Sequence, residues 1–251
     1  MFSTLHLLIL AICAVMIVAV VVYSVKKRVP VRSMLTFMVG VTIYGELMKV
    51  FSRIDVAGGA ALLSVEFLPL HLCSIQIFAI WYLRFFNKSA EREKTLLAFM
   101  YPTMLVGGLA ALLIATVNPI SFANPEIFEY FVYHAMVVAF GLYIALSKQV
   151  DFTWRRLGKT MVLLLILFFF SIYTNSMFST GGVATNFFYS AQPPMPGLPY
   201  LNFSFFGRTL ADEKLGWIWY LAKMCFLGLV AMLACYAPFL IRRGTTRRTN
   251  A

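Results

Sequence analysis

The string Leu68-Pro-Leu-His71-Leu-Cys73-Ser-Ile-Gln76 sets an imidazole, a thiol and a carboxamide inside a run otherwise oily enough to cross a membrane. Burying a polar group without a partner is costly, so ionisable residues in such a run point to a functional site. A thiol becomes a strong nucleophile when a base or cation favours its thiolate. His71 is the nearest base in sequence, but on a helix two residues turn a side chain by about 200°. It is therefore expected to face away from Cys73. His134, carried within Glu129-Tyr-Phe-Val-Tyr-His134, can reach the sulfur from another helix and is the better general base. His71 would then orient a substrate carbonyl or headgroup. Plainer readings stand beside these. Free cysteine is among the most buried residue types, and either histidine can simply bond a neighbouring helix.

The elements that must position these groups follow from composition. Hydrophobic residues make up 61% of the 251 and charged residues 12%, and mean hydropathy is +0.83. That excludes a soluble domain and predicts an integral membrane protein. Runs at 5–23, 34–51, 68–86, 95–117, 127–146, 160–178 and 217–242 each approach the roughly 20 residues that a helical crossing needs. The expected fold class is an all-α polytopic membrane protein, a seven-transmembrane helix bundle forming one domain over 1–251.

The net charge of +11 reflects orientation rather than a nucleic-acid partner, because basic residues crowd alternate connections. Lys26, Lys27, Arg28 and Arg32 follow the first run; Arg84, Lys88, Arg92 and Lys94 follow the third. Lys148, Arg155, Arg156 and Lys159 follow the fifth, and Arg242, Arg243, Arg247 and Arg248 the seventh. Lysine and arginine mark the cytoplasmic side, which puts the N-terminus outside and the C-terminus in the cytoplasm, in a multi-pass protein of the cell membrane. The first run lacks a basic leader segment and reads as a retained helix. The long outer connection 179–216, rich in glycine, proline and aromatics, reads as a packed loop or lid.

Counted at 1.5 Å per residue, Glu46, Cys73, His134 and Lys223 each lie about 9 to 10 Å below the outer boundary. Tyr173, Thr174 and Asn175 reach a similar level, so a polar chamber is expected in the outer leaflet. Its candidate substrate-binding groups are His71, Glu46, Gln76, Asn175, Asn186 and Lys223, with Cys73 and His134 as the candidate catalytic pair. Glu46 and Lys49 are spaced to neutralise one another on one face. Trp219, one turn before Lys223, suits the interfacial belt. Gly107-Gly108 suits close helix approach, and Asn202-Phe-Ser204 matches a glycosylation triplet. The four cysteines form neither a disulfide framework nor a ligand-spacing motif. No metal and no cofactor is expected; the expected partners are membrane lipids.

Taken in order, Leu68-Pro-Leu-His-Leu-Cys73-Ser, Tyr101-Pro102, Tyr133-His134, Thr185-Asn186-Phe-Phe-Tyr and Gly216-Trp-Ile-Trp-Tyr220 resemble the YwaF-like bacterial membrane proteins and the eukaryotic transmembrane protein 164 family. The resemblance implies a cysteine-dependent acyltransferase acting on phospholipids, with Cys73 as the acyl-accepting nucleophile and His134 as its base. Two other classes compete. One is a non-catalytic transporter, receptor or lipid-binding protein. The other is a zinc-dependent membrane hydrolase with His71, His134, Cys73 and Glu46 as ligands, which has only two histidines at the right depth and no ligand-spacing motif.

Overall fold

Seven α-helices carry the chain in the computed structural model, which describes residues 3–57, 60–117, 120–179, 185–192 and 213–249. They are α1 (Thr4–Lys26), α2 (Val31–Arg53), α3 (Gln76–Trp81), α4 (Ala90–Leu113), α5 (Glu126–Leu146), α6 (Trp154–Phe178) and α7 (Glu213–Thr249). Among the described residues, six helices, all but α3, are long and apolar enough to cross a membrane. The chain is thus a multi-pass membrane protein. Between α2 and α3 lies a small antiparallel hairpin, β1 (Asp55–Ala57) with β2 (Ala60–Leu62), Val56 opposite Ala61.

Helix starts follow local chemistry. The side chains of Ser3, Ser89 and Thr153 accept from the amides of His6, Arg92 and Arg156, at 3.1, 3.4 and 3.2 Å. Each satisfies a donor that the first turn leaves unpaired.

The third crossing departs from expectation. Instead of one helix over 68–86, a 3-10 turn at Val65–Phe67 leads into irregular backbone, α3 spans six residues, and a π turn at Tyr82–Phe86 completes the segment. Pro69 supplies the reason. Its ring disfavours the helical region for the residue before it, and Leu68 is extended at φ −58°, ψ 143°. The helix starts only after this break.

The core centres on α4 and α5, whose apolar stretches are 56% and 67% buried against 17% for α7. Small residues bring the two together. A Cβ on Gly141 would lie 3.2 Å from Tyr101 O, and one on Gly108 only 2.6 Å from Val138 Cγ2. Polar groups fasten α1 to this pair: His6 Nε2 bonds Leu112 O at 3.0 Å, and Cys13 Sγ approaches Phe131 O at 3.7 Å. At the opposite end from His6, Arg156 bonds Glu91 at 2.8 Å and joins the start of α6 to that of α4.

The proline inside α4 explains one half of a clamp between α4 and α7. Pro102 has no amide to offer Ala98 O, and the Tyr236 hydroxyl donates to that carbonyl instead at 2.9 Å. The Tyr101 hydroxyl, next to Pro102, makes a second tie between the two helices by donating to Cys235 O of α7 at 3.2 Å. In hydrocarbon such carbonyls must be satisfied by protein. Tyr236→Phe is therefore expected to lower stability by about 1 kcal/mol, read as an earlier thermal transition in detergent with the helical signal at low temperature unchanged.

Candidate functional site

Residues 68–75 form no regular helix, and a single α-turn, closed between Ile75 and His71, carries Cys73. Leu70 N donates to Leu68 O at 2.7 Å and Ile75 N to His71 O at 2.8 Å. The carbonyls between are taken by side chains: Gln76 Nε2 donates to Leu72 O at 3.2 Å, and the Tyr133 hydroxyl to Cys73 O at 3.0 Å. Gln76, fully buried, also donates to Thr103 Oγ1 at 2.9 Å. It thus ties the irregular segment to α4, while its buried Oε1 has no protein partner.

The thiol lies against a glycine. A Cβ on Gly107 would stand 3.0 Å from Cys73 Sγ, so only a bare backbone leaves the sulfur its place. The next residue makes room for α5, since a Cβ on Gly108 would lie 2.6 Å from Val138 Cγ2, with His134 O 3.4 Å away. The Gly107-Gly108 pair therefore seats Cys73 on one side and the His134 turn on the other. A third glycine completes the arrangement: a Cβ on Gly45 of α2 would meet the Tyr133 ring at 3.2 Å.

His134 is held in one tautomer. Its Nδ1 lies 2.6 Å from Tyr130 O. A carbonyl oxygen only accepts, so Nδ1 carries the proton and the neutral ring keeps its lone pair on Nε2. The Tyr130 and Tyr133 rings flank it, centroids at 4.4 and 5.3 Å, and His71 is close enough for the two imidazoles to interact electrostatically. Tyr130 precedes His134 by four residues, one helical turn, a spacing visible in the sequence, whereas Tyr133, its neighbour in the Tyr133-His134 string, takes its role from packing against Cys73.

His71 faces the loop that follows α6. Its ring meets Phe187 at 5.4 Å and Tyr189 at 5.8 Å between centroids. Asn175 pins that loop: its Oδ1 accepts from Phe187 N at 2.7 Å, while its Nδ2 donates to Phe187 O at 3.0 Å and Ser190 Oγ at 2.9 Å. Ser171 Oγ donates to Ser190 Oγ, Trp217 Nε1 to Ser190 O, and the Tyr220 hydroxyl to Tyr189 O. These bonds hold Phe188 and Tyr189 at φ 55° and 53°, a left-handed backbone that costs a bulky residue about 1 to 3 kcal/mol. Burial raises the pKa of the Tyr189 phenol, keeping it protonated. Asn186 closes the same loop, its Oδ1 accepting from the amides of Ala191 and Gln192 and its Nδ2 donating to Gln192 O.

Of the residues expected to share a chamber, Cys73, His71, His134, Gln76 and Asn175 are joined through Tyr133, Gly107-Gly108 and the 185–192 loop. Asn175 and Asn186 spend most of their hydrogen bonds on that loop. Glu46 pairs with Lys49 at 2.6 Å, and Lys223 lies over the Trp219 ring at 5.8 Å. Tyr173 points outward, 69% exposed. The rest of the expected lid, 180–184 and 193–212, and with it Asn202-Phe-Ser204, lies outside the described residues. Among the described residues no three His, Cys, Asp or Glu side chains are grouped to hold a metal ion.

A protein-family model, the TMEM164 family, matches residues 1–236. No curated protein and no solved structure matches the chain.

The two adjacent glycines give different expectations. Gly108→Ala drives a Cβ into Val138 and should cost about 1 to 3 kcal/mol by overpacking, seen as a lower unfolding temperature. Gly107→Ala presses only on a thiol and should leave that temperature within a degree or two of wild type, about 0.5 kcal/mol. Its effect should appear in the rate at which a small thiol reagent modifies Cys73, scored against Cys225 in the same sample.

Proposed function

The chain belongs to the TMEM164 family, and from that premise we propose that it is a membrane acyltransferase working on phospholipid-type substrates through Cys73 and His134. The observation that carries the reading is the fixed tautomer of His134. With Nδ1 donating to Tyr130 O, Nε2 is the nitrogen available as base, on a turn that Gly108 seats beside the glycine facing the thiol.

The reaction runs in two steps. His134 Nε2 takes the Cys73 proton, and the sulfur attacks the carbonyl carbon of a phospholipid ester. The C–O bond of that ester breaks, leaving an acyl thioester, and the departing lysophospholipid oxygen takes the proton back from His134. A second lysophospholipid then gives its hydroxyl proton to Nε2 and attacks the thioester carbonyl, the C–S bond breaks, and Nε2 returns the proton to the departing sulfur, restoring the thiol. With water in place of the second lysophospholipid the same steps amount to hydrolysis. His71, between the thiol segment and Phe187, is suited to orient the ester carbonyl. Tyr133 is a positioning residue that fixes the backbone at Cys73.

The basic clusters support an orientation with the N-terminus outside and the C-terminus cytoplasmic in the cell membrane. On that reading the broken third segment makes a seventh crossing, all seven form one membrane domain, and the compact chain fits the YwaF-like bacterial pattern.

Proteoliposomes holding wild type, Cys73→Ala, His134→Ala or His71→Ala, supplied with labelled phospholipid and unlabelled lysophospholipid, test this. Loss of the nucleophile should abolish acyl exchange, loss of the base should lower it by about 10² to 10⁴, and His71→Ala should act mainly on KM. Equal exchange by wild type and Cys73→Ala would sink the proposed site. No exchange by any of them would favour a binding protein.

A further inference from the structure

A groove of about 190 Å³ runs between α2 and α3, lined by Thr42, Ile43, Glu46, Leu47, Ile77 and Trp81. It lies where the face of α2 turned away from α5 meets the short α3, which begins only at Gln76. Its deep end is closed by Trp81 Nε1, which donates to Thr42 Oγ1 at 3.0 Å. From there its walls are apolar and open to the bilayer, with Ile43 and Leu47 exposed. At the other end stands the pair of Glu46 and Lys49, the side chains 35% and 14% exposed.

A carboxylate and an ammonium beside a lipid-facing groove are costly unless they serve a purpose. An ammonium has three N–H donors, and Glu46 takes one of them. Lys49 is also close enough to His71 for their charges to interact, and Ile77 follows Cys73 by four residues. A slot for a hydrocarbon chain therefore leads to a cation, and the cation leads to the candidate site.

We propose that this α2–α3 groove seats one acyl chain of a membrane glycerophospholipid, with Lys49 holding its phosphate and the ester brought to the level of Cys73. The inference deepens the acyltransferase reading and rests on it for the ester, but occupation of the groove can be measured without any reaction. Glu46, which lines the groove, accepts from Lys49 Nζ at 2.6 Å and so holds the ammonium beside the groove's mouth. Trp81 sets the depth to which the chain can descend.

Cys73→Ala protein in nanodiscs of phosphatidylcholine carrying a mid-chain diazirine probe supplies the test. After illumination, labelled peptides should concentrate on the α2 and α3 walls. Leu47→Trp, which fills the groove, should lower labelling there by about tenfold, and so should Lys49→Gln, the loss expected when a charged hydrogen bond of some 1.4 kcal/mol goes. Val18→Trp on the equally lipid-exposed face of α1 should change nothing. Leu47→Ala, which leaves the groove open, guards against misfolding and should label like the parent. Labelling spread evenly over α1 and the groove, or unchanged by Leu47→Trp and Lys49→Gln, overturns the groove whatever the fate of the thiol. Groove labelling that responds to both variants upholds it, even if Cys73→Ala and wild type exchange acyl groups equally and the thiol chemistry falls.

Discussion

Backbone groups inside a hydrocarbon layer must find their hydrogen bonds within the protein, and Pro69 creates the place where this bites hardest. By keeping Leu68 extended it leaves the carbonyls of Leu72 and Cys73 outside any regular helix, to be claimed by Gln76 and by the Tyr133 hydroxyl. Those two bonds fix the thiol segment against α4 and α5 at once. The glycines at 45, 107 and 108 are the steric counterpart. Each gives up a side chain where Tyr133, Cys73 or the His134 turn must come close. Break, bonds and glycines form one arrangement, since a regular third helix would need neither the acceptors nor the room.

The loop after α6 depends on the same region. Asn175 treats Phe187 as a neighbouring strand would, accepting from its amide and donating to its carbonyl. The gain offsets the left-handed backbone at Phe188 and Tyr189 and sets two aromatic rings against His71. On the proposed function, the pinned loop on one side and the groove toward lipid on the other would give a membrane-lipid substrate an apolar approach and a polar destination.

Charge is distributed with the same economy. The pairs Glu46 with Lys49 and Arg53 with Glu126 neutralise most of the charge at the site end of α2 and α5. The Arg156, Glu91 and Lys159 cluster sits at the other end of the bundle, its Arg156 buried and its exposed Lys159 with Glu91 pair adding little stability.

Composition and hydropathy alone determined that the chain is a multi-pass membrane protein, because its repeated long runs of apolar residues have no other stable solvent than lipid. Residue types and helical depth also singled out Cys73, His71, His134, Gln76 and Asn175, since a polar group in such a run must have a partner or a use. What hydropathy did not reveal was the broken third segment: windows that average over residues 68–86 score its oil and pass over one proline. The partners were equally hidden. That Tyr133 bonds Cys73 O, that Gly107 faces the sulfur, and that Asn175 serves the loop are matters of which helix lies beside which, and spacing along one helix carries no record of its neighbours. Only the packing of α4 against α5, with α2 and the 185–192 loop around them, brought these separate polar residues together.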